Sequence, residues 1–304
     1  MQVNSTGSKH DVPTRLLQST LKIEIQIAVE LALQTGRSMY RYCDEKGTAE
    51  EQFHDLQIET KGQPEDFCTK IDVENEIIIM KKLQEDFPSY VIIGEETTGT
   101  GAIPTLTSTP TWIIDPIDGT TNFAAGLPLT CVSIGLCIDM KSVLGVVYAP
   151  MTDELYLAVR GCGAYRNGVQ IIPRNIPDKT LLDSVVCFEF GYAREKAAID
   201  KMIEVVKRLL YHGCRTTRSL GSGVLDLCYV ATGRIDIVYA GVAGEGWKPW
   251  DYCAGHVVAI ESGCYMESID NTDGASKEFN LYSSSVICAV NPRIVEEVRR
   301  VIVQ

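Results

Sequence analysis

Between Arg15 and Tyr42 the apolar residues Leu16, Leu17, Ile23, Ile27, Leu31 and Ala32 recur mostly at helical spacing. Ile23, Ile25 and Ile27 also alternate as in a strand, but the length of the run and the following Ala28 to Leu33 favour a helix. Cys43 to Leu56 is charged and aperiodic and reads as a mobile loop, after which Phe67 to Asp72 leads into a second helix, Val73 to Phe87, stopped by Pro88. The texture then changes to short apolar runs. Tyr90 to Ile93, Thr111 to Ile114, Leu129 to Ile138, Val143 to Tyr148 and Glu154 to Val159 read as strands, with a glycine-bounded hairpin region over Gly161 to Gly168. The second half supplies strands at Val185 to Phe188 and Ile235 to Tyr239. Helices follow at Lys196 to Leu210, Gly223 to Thr232, Asp251 to Glu261 and Pro292 to Val303. Helices and strands mix in both halves without a repeat, which predicts an α/β chain of the α+β type.

The length of 304 residues suits one large domain or two closely packed lobes, either able to bury a deep site. The first fourteen residues are polar, contain Pro13 and have no apolar stretch, so 1–14 is expected to be a loose tail rather than a secretory signal, with residues 15–304 as the folded unit. No run approaches the ~18 consecutive apolar residues of a membrane span, so the chain reads as soluble. Eleven cysteines are scattered without a Cys-x-x-Cys unit, most in apolar surroundings, which fits reduced, buried thiols and a cytoplasmic location. A formal charge of −12 argues against nucleic acid or an anionic membrane as partner. It also disfavours a phosphorylated substrate unless clustered carboxylates hold cations that invert the local field.

Carboxylates stand just past strand ends. The run Trp112 to Ile114 delivers Asp115 to a turn fixed by Pro116, and Asp118 follows three residues on, before Gly119, Thr120 and Thr121. Two such acids, with the Ile117 carbonyl between them, offer hard oxygen ligands for Mg2+. Gly119 permits close approach, and backbone N–H groups of a following helical turn can hold phosphate oxygens. By itself an Asp-x-x-Asp-Gly turn is more often a helix cap. Glu95, after the run ending at Gly94, and Asp251, at the start of an apolar helix, change that balance, because converging acids are costly unless a cation neutralises them. Asp72 reads equally well as an N-cap of the second helix, and Lys61 as a solvated loop charge. His10, His54, His212 and His256 show no ligand spacing and are taken as structural or surface residues. No Gly-x-Ser-x-Gly elbow occurs and Cys253 has no histidine partner in the sequence, so a serine or cysteine nucleophile is not expected.

The segment Asp115 to Phe123, the Gly94-Glu95-Glu96 turn and the Trp250-Asp251 helix start resemble the three signature motifs of the inositol monophosphatase family, in the family's order, and Lys61 and Thr69 to Asp72 resemble its upstream elements. The likeness spans roughly residues 15 to 300 and implies a single domain folded as a layered α/β/α/β/α sandwich, with lobes of about 15–180 and 181–304. It implies an enzyme, usually a homodimer and often lithium-sensitive, that hydrolyses small phosphate monoesters with two or three Mg2+ ions. Carried over, Glu95, Asp115, the Ile117 carbonyl, Asp118 and Asp251 are the expected metal ligands, with Glu95 also counted as catalytic. Thr120 and Asp72 are the expected pair that orients or deprotonates the attacking water. Asp118, Gly119, Thr120, Gly221, Ser222, Gly223, Asp251, Lys61 and Glu245 are expected at the substrate.

The pattern departs from the family after Ile235 to Tyr239. There the family usually has a substrate-binding glutamate, whereas this chain runs into Ala240 to Pro249, a longer stretch in which Glu245 is the candidate and an exposed loop acid the plainer alternative. Inositol monophosphate is the expected substrate. Fructose 1,6-bisphosphate, a hexose 1-phosphate or histidinol phosphate is the alternative, and a metal-binding scaffold without turnover stands further off.

Overall fold

The computed structural model describes residues 8–48, 56–61, 66–172, 176, 178–244, 246–270 and 278–304. The single helix expected from Arg15 is two: a short turn, α1 (Thr14–Leu17), and the long α2 (Lys22–Glu45). Ser19 breaks them, its hydroxyl donating to the Leu16 carbonyl at 2.7 Å and accepting the Leu21 N–H at 3.3 Å in competition with the helical ladder. Residues 8–13, expected within the loose tail, are docked: Lys9 and His10 both pair with Asp153. The expected loop from Cys43 begins later, because α2 runs on to Glu45; residues 49–55, including His54, lie outside the described residues.

A two-stranded hairpin, β1 (Glu59–Thr60) and β2 (Phe67–Cys68), precedes α3 (Lys70–Asp86). The first large sheet follows in chain order as β3 (Val91–Gly94), β4 (Thr111–Asp118), β5 (Cys131–Ile138), β6 (Lys141–Ala149), β7 (Glu154–Val159), β8 (Gly163–Arg166) and β9 (Val169–Gln170). Only β3 and β4 are parallel. Two one-turn or two-turn helices interrupt it, α4 (Glu95–Thr98) after β3 and α5 (Thr120–Ala125) after β4. The β8–β9 turn is Asn167-Gly168 with φ of 49° and 73°, the left-handed pair that a tight hairpin requires.

The second half builds a five-stranded mixed sheet from β10 (Val185–Glu189), β11 (Thr216–Arg218), β12 (Ile237–Ala240), β13 (Tyr265–Glu267) and β14 (Val286–Ala289), in spatial order 11-10-12-14-13. Its helices are α6 (Lys196–His212), α7 (Gly223–Ala231), α8 (Pro249–Glu261) and α9 (Pro292–Val303).

Alternation along β4 sorts the layers. Trp112 and Ile114 join a buried cluster with α2 and α3 on one face, while Ile113 joins the larger cluster that contains α7, α8 and the second sheet. Buried Met202, Val205 and Leu209 of α6 and Ile294, Val298 and Val301 of α9 cover the far side of that sheet. The result is the expected α/β/α/β/α sandwich, with α7 and α8 between the sheets.

What seats α8 is a pair of glycines. Gly135 and Gly145 face each other across β5 and β6. A Cβ at Gly145 would lie 2.3 Å from the Ala254 carbonyl oxygen, and one at Gly135 2.4 Å from the Cys253 sulfur. The missing side chains form a groove into which α8 sinks, and the buried His256 ring, 2.6 Å from the Ser142 hydroxyl, fixes its rotation. Gly145→Ala is therefore expected to destabilise the fold by roughly 1–3 kcal/mol through overpacking and to lower activity by displacing the start of α8. Urea unfolding midpoints of the two proteins check this; an unchanged midpoint would contradict the seating of α8 on these glycines.

Candidate active site

Asp115 and Asp118 are three residues apart on one strand, a spacing that normally sends side chains to opposite faces. They converge because β4 bulges between them: Asp115 pairs with Ser133 and Asp118 with Cys131, so β4 spends one residue more than β5 over the interval. The Asp115 carboxylate accepts the Ile117 N–H at 2.9 Å, which tightens the turn. Asp251 reaches the same point from the first turn of α8, where it accepts the Lys248 N–H at 2.6 Å. Oxygens of Asp115, Asp118 and Asp251 lie within 4.8 Å of one another. Asp115 and Asp118 are buried and Asp251 is partly open to the cleft.

Glu95 lines the same cleft from the start of α4. It is held by Glu76 of α3, a buried acid that accepts the Glu96 N–H at 2.8 Å and the Thr97 N–H at 2.7 Å. A Cβ at Gly94 would stand 2.4 Å from the Glu76 carboxylate, so this approach needs glycine. Lys61 lies 2.8 Å from both Glu95 and Glu96. Burial works against its charge, but the two carboxylates more than offset that and raise its pKa. The ammonium expected at the substrate is paired here with these two acids.

Asp118 also ties the first sheet to α7, accepting the Ser222 hydroxyl, the Val224 N–H at 3.1 Å and, weakly, the Cys131 thiol of β5 at 3.6 Å. Gly119 follows at φ +81°, and a Cβ there would be 3.0 Å from the carbonyl oxygens of Gly221 and Leu129. Thr120 opens α5 and its hydroxyl is within donating distance of Asp72 at 3.2 Å and of the Ile117 carbonyl at 3.1 Å. Asp72 is not the N-cap of its helix: Thr69 holds that position, and Asp72, one turn in, accepts the Thr69 N–H at 2.9 Å as well as its hydroxyl. Capping and facing Thr120 are therefore compatible, one carboxylate oxygen serving each.

Glu95, Asp115, Ile117, Asp118, Gly119, Thr120 and Asp251 line a cleft of about 590 Å3 together with Gly221, Ser222 and Gly223 at the start of α7, while Asp72 and Lys61 are not in its lining. Sequence reasoning missed Asp66, Glu189, Tyr192, Glu195, Trp247 and Lys248, which line it too. It also missed Asn122 as a brace, whose amide donates to the Leu129 and Leu220 carbonyls at 2.8 and 2.7 Å. Asn122 lies within the Asp115 to Phe123 motif and the others outside the motifs; their role comes from where distant loops meet. Glu245 is outside the described residues.

The donor set fits a hard divalent cation. Burial, with mutual repulsion from Glu95, Asp118 and Asp251, pushes the Asp115 pKa well up, and burial with repulsion from Asp118 and Glu95 does the same to Asp251. Carboxylates so destabilised as anions, with oxygens at ligand spacing, are the arrangement a cation relieves.

Fold and site define a class: a layered α/β phosphatase sandwich with an acidic, cation-demanding cleft. Known proteins agree. The family model described as inositol monophosphatase family matches residues 24–303. Inositol monophosphatase 2 of Solanum lycopersicum is 42% identical over 230 residues, 75% of this chain and 82% of that protein. Inositol monophosphatase 1 of Bos taurus is 33% identical over 247 residues, 81% and 85% of the two chains. A crystal structure of the extragenic suppressor protein suhB from Bartonella henselae matches with TM-score 0.76 at 27% identity, covering 92% of this chain and 98% of that one. The chain belongs to the inositol monophosphatase family, and it is an inositol-phosphate phosphatase.

The cluster also sets a pH dependence. Burial, only partly offset by hydrogen bonds, raises Asp72 and Asp118 to about 6 each. A carboxyl whose folded pKa is raised binds more protons folded than unfolded, so its stabilising contribution is present below the ordinary carboxylate pKa and is lost as pH rises through the folded value. The metal-free protein is expected to lose melting temperature between about pH 4 and about pH 7, and Mg2+ to restore more at the upper end. Thermal scans in chelator and in Mg2+ across that range check both; an equal Mg2+ effect at all pH values would contradict the assignment.

Proposed function

We propose that the chain hydrolyses inositol monophosphate to myo-inositol and phosphate with Mg2+ in this cleft. The observation that carries the reading is the convergence of buried acids from both halves of the chain on one cleft. A phosphate ester could not enter such a field without cations. Glu95, Asp115, the Ile117 carbonyl, Asp118 and Asp251 would hold them, two or three ions in all. When bound, Mg2+ neutralises phosphate oxygens and acidifies water.

The chain's own residues do the rest. With Asp72 ionised, the Thr120 hydroxyl donates to it and keeps lone pairs free to accept from a water. That orients the water's oxygen toward phosphorus and opens a route for its proton through Thr120 to Asp72. Backbone N–H groups from Gly119 onward cradle phosphate oxygens, and the Gly221 to Gly223 turn flanks the polyol ring. Residues 15–304 act as one functional unit, because both lobes contribute. Free thiols support a cytoplasmic location, and the family resemblance supports a homodimer and lithium sensitivity.

Phosphate release from inositol 1-phosphate is expected to require Mg2+ and to fall at least about a hundredfold in Asp118→Asn. Thr120→Ala should cost roughly 10²–10⁴-fold in kcat with little change in KM. Turnover of a hexose 1-phosphate but not of inositol 1-phosphate would keep the site and replace the substrate. Mg2+-independent turnover would overturn the mechanism.

A further inference from the structure

A second group of acids that the mechanism does not use runs from Glu189 on the cleft wall to Asp226 buried behind it. Cys187 and Glu189 of β10 and Asp226 of α7 bring their side-chain donor atoms within 4.8 Å of one another. Asp226 is 0% exposed; one of its oxygens accepts the Cys187 thiol at 3.3 Å and the other has no hydrogen-bond partner. Glu189 accepts the Leu220 and Gly221 N–H groups at 2.6 and 2.9 Å on one oxygen and the Ser219 hydroxyl at 3.2 Å on the other, which leaves that carboxylate room for a further donor. The other titratable groups that face the pair are Cys228 on α7 and Asp118 at the end of β4, and no lysine or arginine among the described residues pairs with either acid. Two ionised carboxylates cannot share such a site without a cation; one takes a proton. Three donors stabilise the Glu189 anion and none but a weak thiol serves Asp226, so the proton belongs on Asp226.

We propose that Asp226 is a protonated acid that donates to Glu189, forming a clamp that holds the Ser219 to Gly221 turn in place on the cleft wall. Burial and the Glu189 charge push its pKa well above the carboxylate range, in agreement. The turn is gripped from both sides, by Glu189 through its N–H groups and by Asn122 through the Leu220 carbonyl. Asp226 is a positioning residue: it touches no substrate and acts through Glu189. The inference rests on the reading of this cleft as the substrate site.

Infrared difference spectra of the Mg2+-saturated protein against Asp226→Asn, at neutral pH, test the proton directly. The wild type is expected to show the C=O stretch of a buried protonated carboxyl, shifted in heavy water and absent in the variant. No such band, or one that persists in Asp226→Asn, would overturn the proposal. The asparagine amide can still donate to Glu189, so kcat/KM of Asp226→Asn should stay within about twofold, while Asp226→Ala should raise KM about 10- to 100-fold with a smaller change in kcat. Equal impairment of both variants would also overturn it, as would elemental analysis finding a bound transition metal that Asp226→Asn loses. Should Asp226→Ala not fold, the band and the Asp226→Asn kinetics decide. If inositol 1-phosphate is not turned over, the substrate reading fails by itself, and the band still judges the clamp.

Discussion

Repulsion among Glu95, Asp115, Asp118 and Asp251 is the constraint around which this protein is arranged. Each acid would be cheap in water; burial first, and the neighbouring carboxylates second, push Asp115 and Asp251 well above the carboxylate range and Asp118 to about 6, so these three resist ionisation. No isolated motif could hold them there. The first sheet contributes two by bulging β4, the end of β3 contributes a third, and the fourth arrives from a helix belonging to the second half of the chain. A cation turns this liability into binding energy, and the same cation makes an acidic cleft hospitable to a phosphate ester.

Structural support for the acids is itself polar and buried. Glu76 fixes the backbone beyond Glu95, and Ser222 and Val224 fix Asp118 against α7. The glycine groove in β5 and β6 lets α8 approach closely enough for Asp251 to join them. These contacts link the layers: the outer helix α3 positions Glu95, while the inner helices α7 and α8 position Asp118 and Asp251. Activity should therefore respond to substitutions far from phosphorus wherever a layer is moved.

Much of this was legible in the sequence. Strand ends followed by acids gave Glu95, Asp115 and Asp118 their places, and the apolar helix after Asp251 marked its first turn. The α3, α6, α7, α8 and α9 helices and most strands of the first sheet emerged within a few residues. Less visible was β14, a central strand: Val286 to Ala289 is buried on both faces, so it lacks the alternation that marks a half-exposed strand. The break at Ser19 depended on a side-chain hydrogen bond, which periodicity does not report. Glu76 and Glu189 read as ordinary helix and strand residues, since their importance lies in which backbone amides a distant loop presents to them. Lys61 could be read as a solvated loop charge because the sequence does not show that Glu95 and Glu96, which pair with it, are brought against it from another loop.

Proton release on Mg2+ binding tests the central claim most directly. Isothermal titration of Mg2+ into the metal-free protein near pH 6, in two buffers of different ionisation enthalpy, counts protons set free as the raised carboxyls ionise around the ion. Release of protons in the wild type, with weaker binding and fewer protons in Asp251→Asn, is the expected result. Tight binding with no proton release, unchanged in Asp251→Asn, would show that the acids are not held out of their ionised state by one another and that the cation site lies elsewhere.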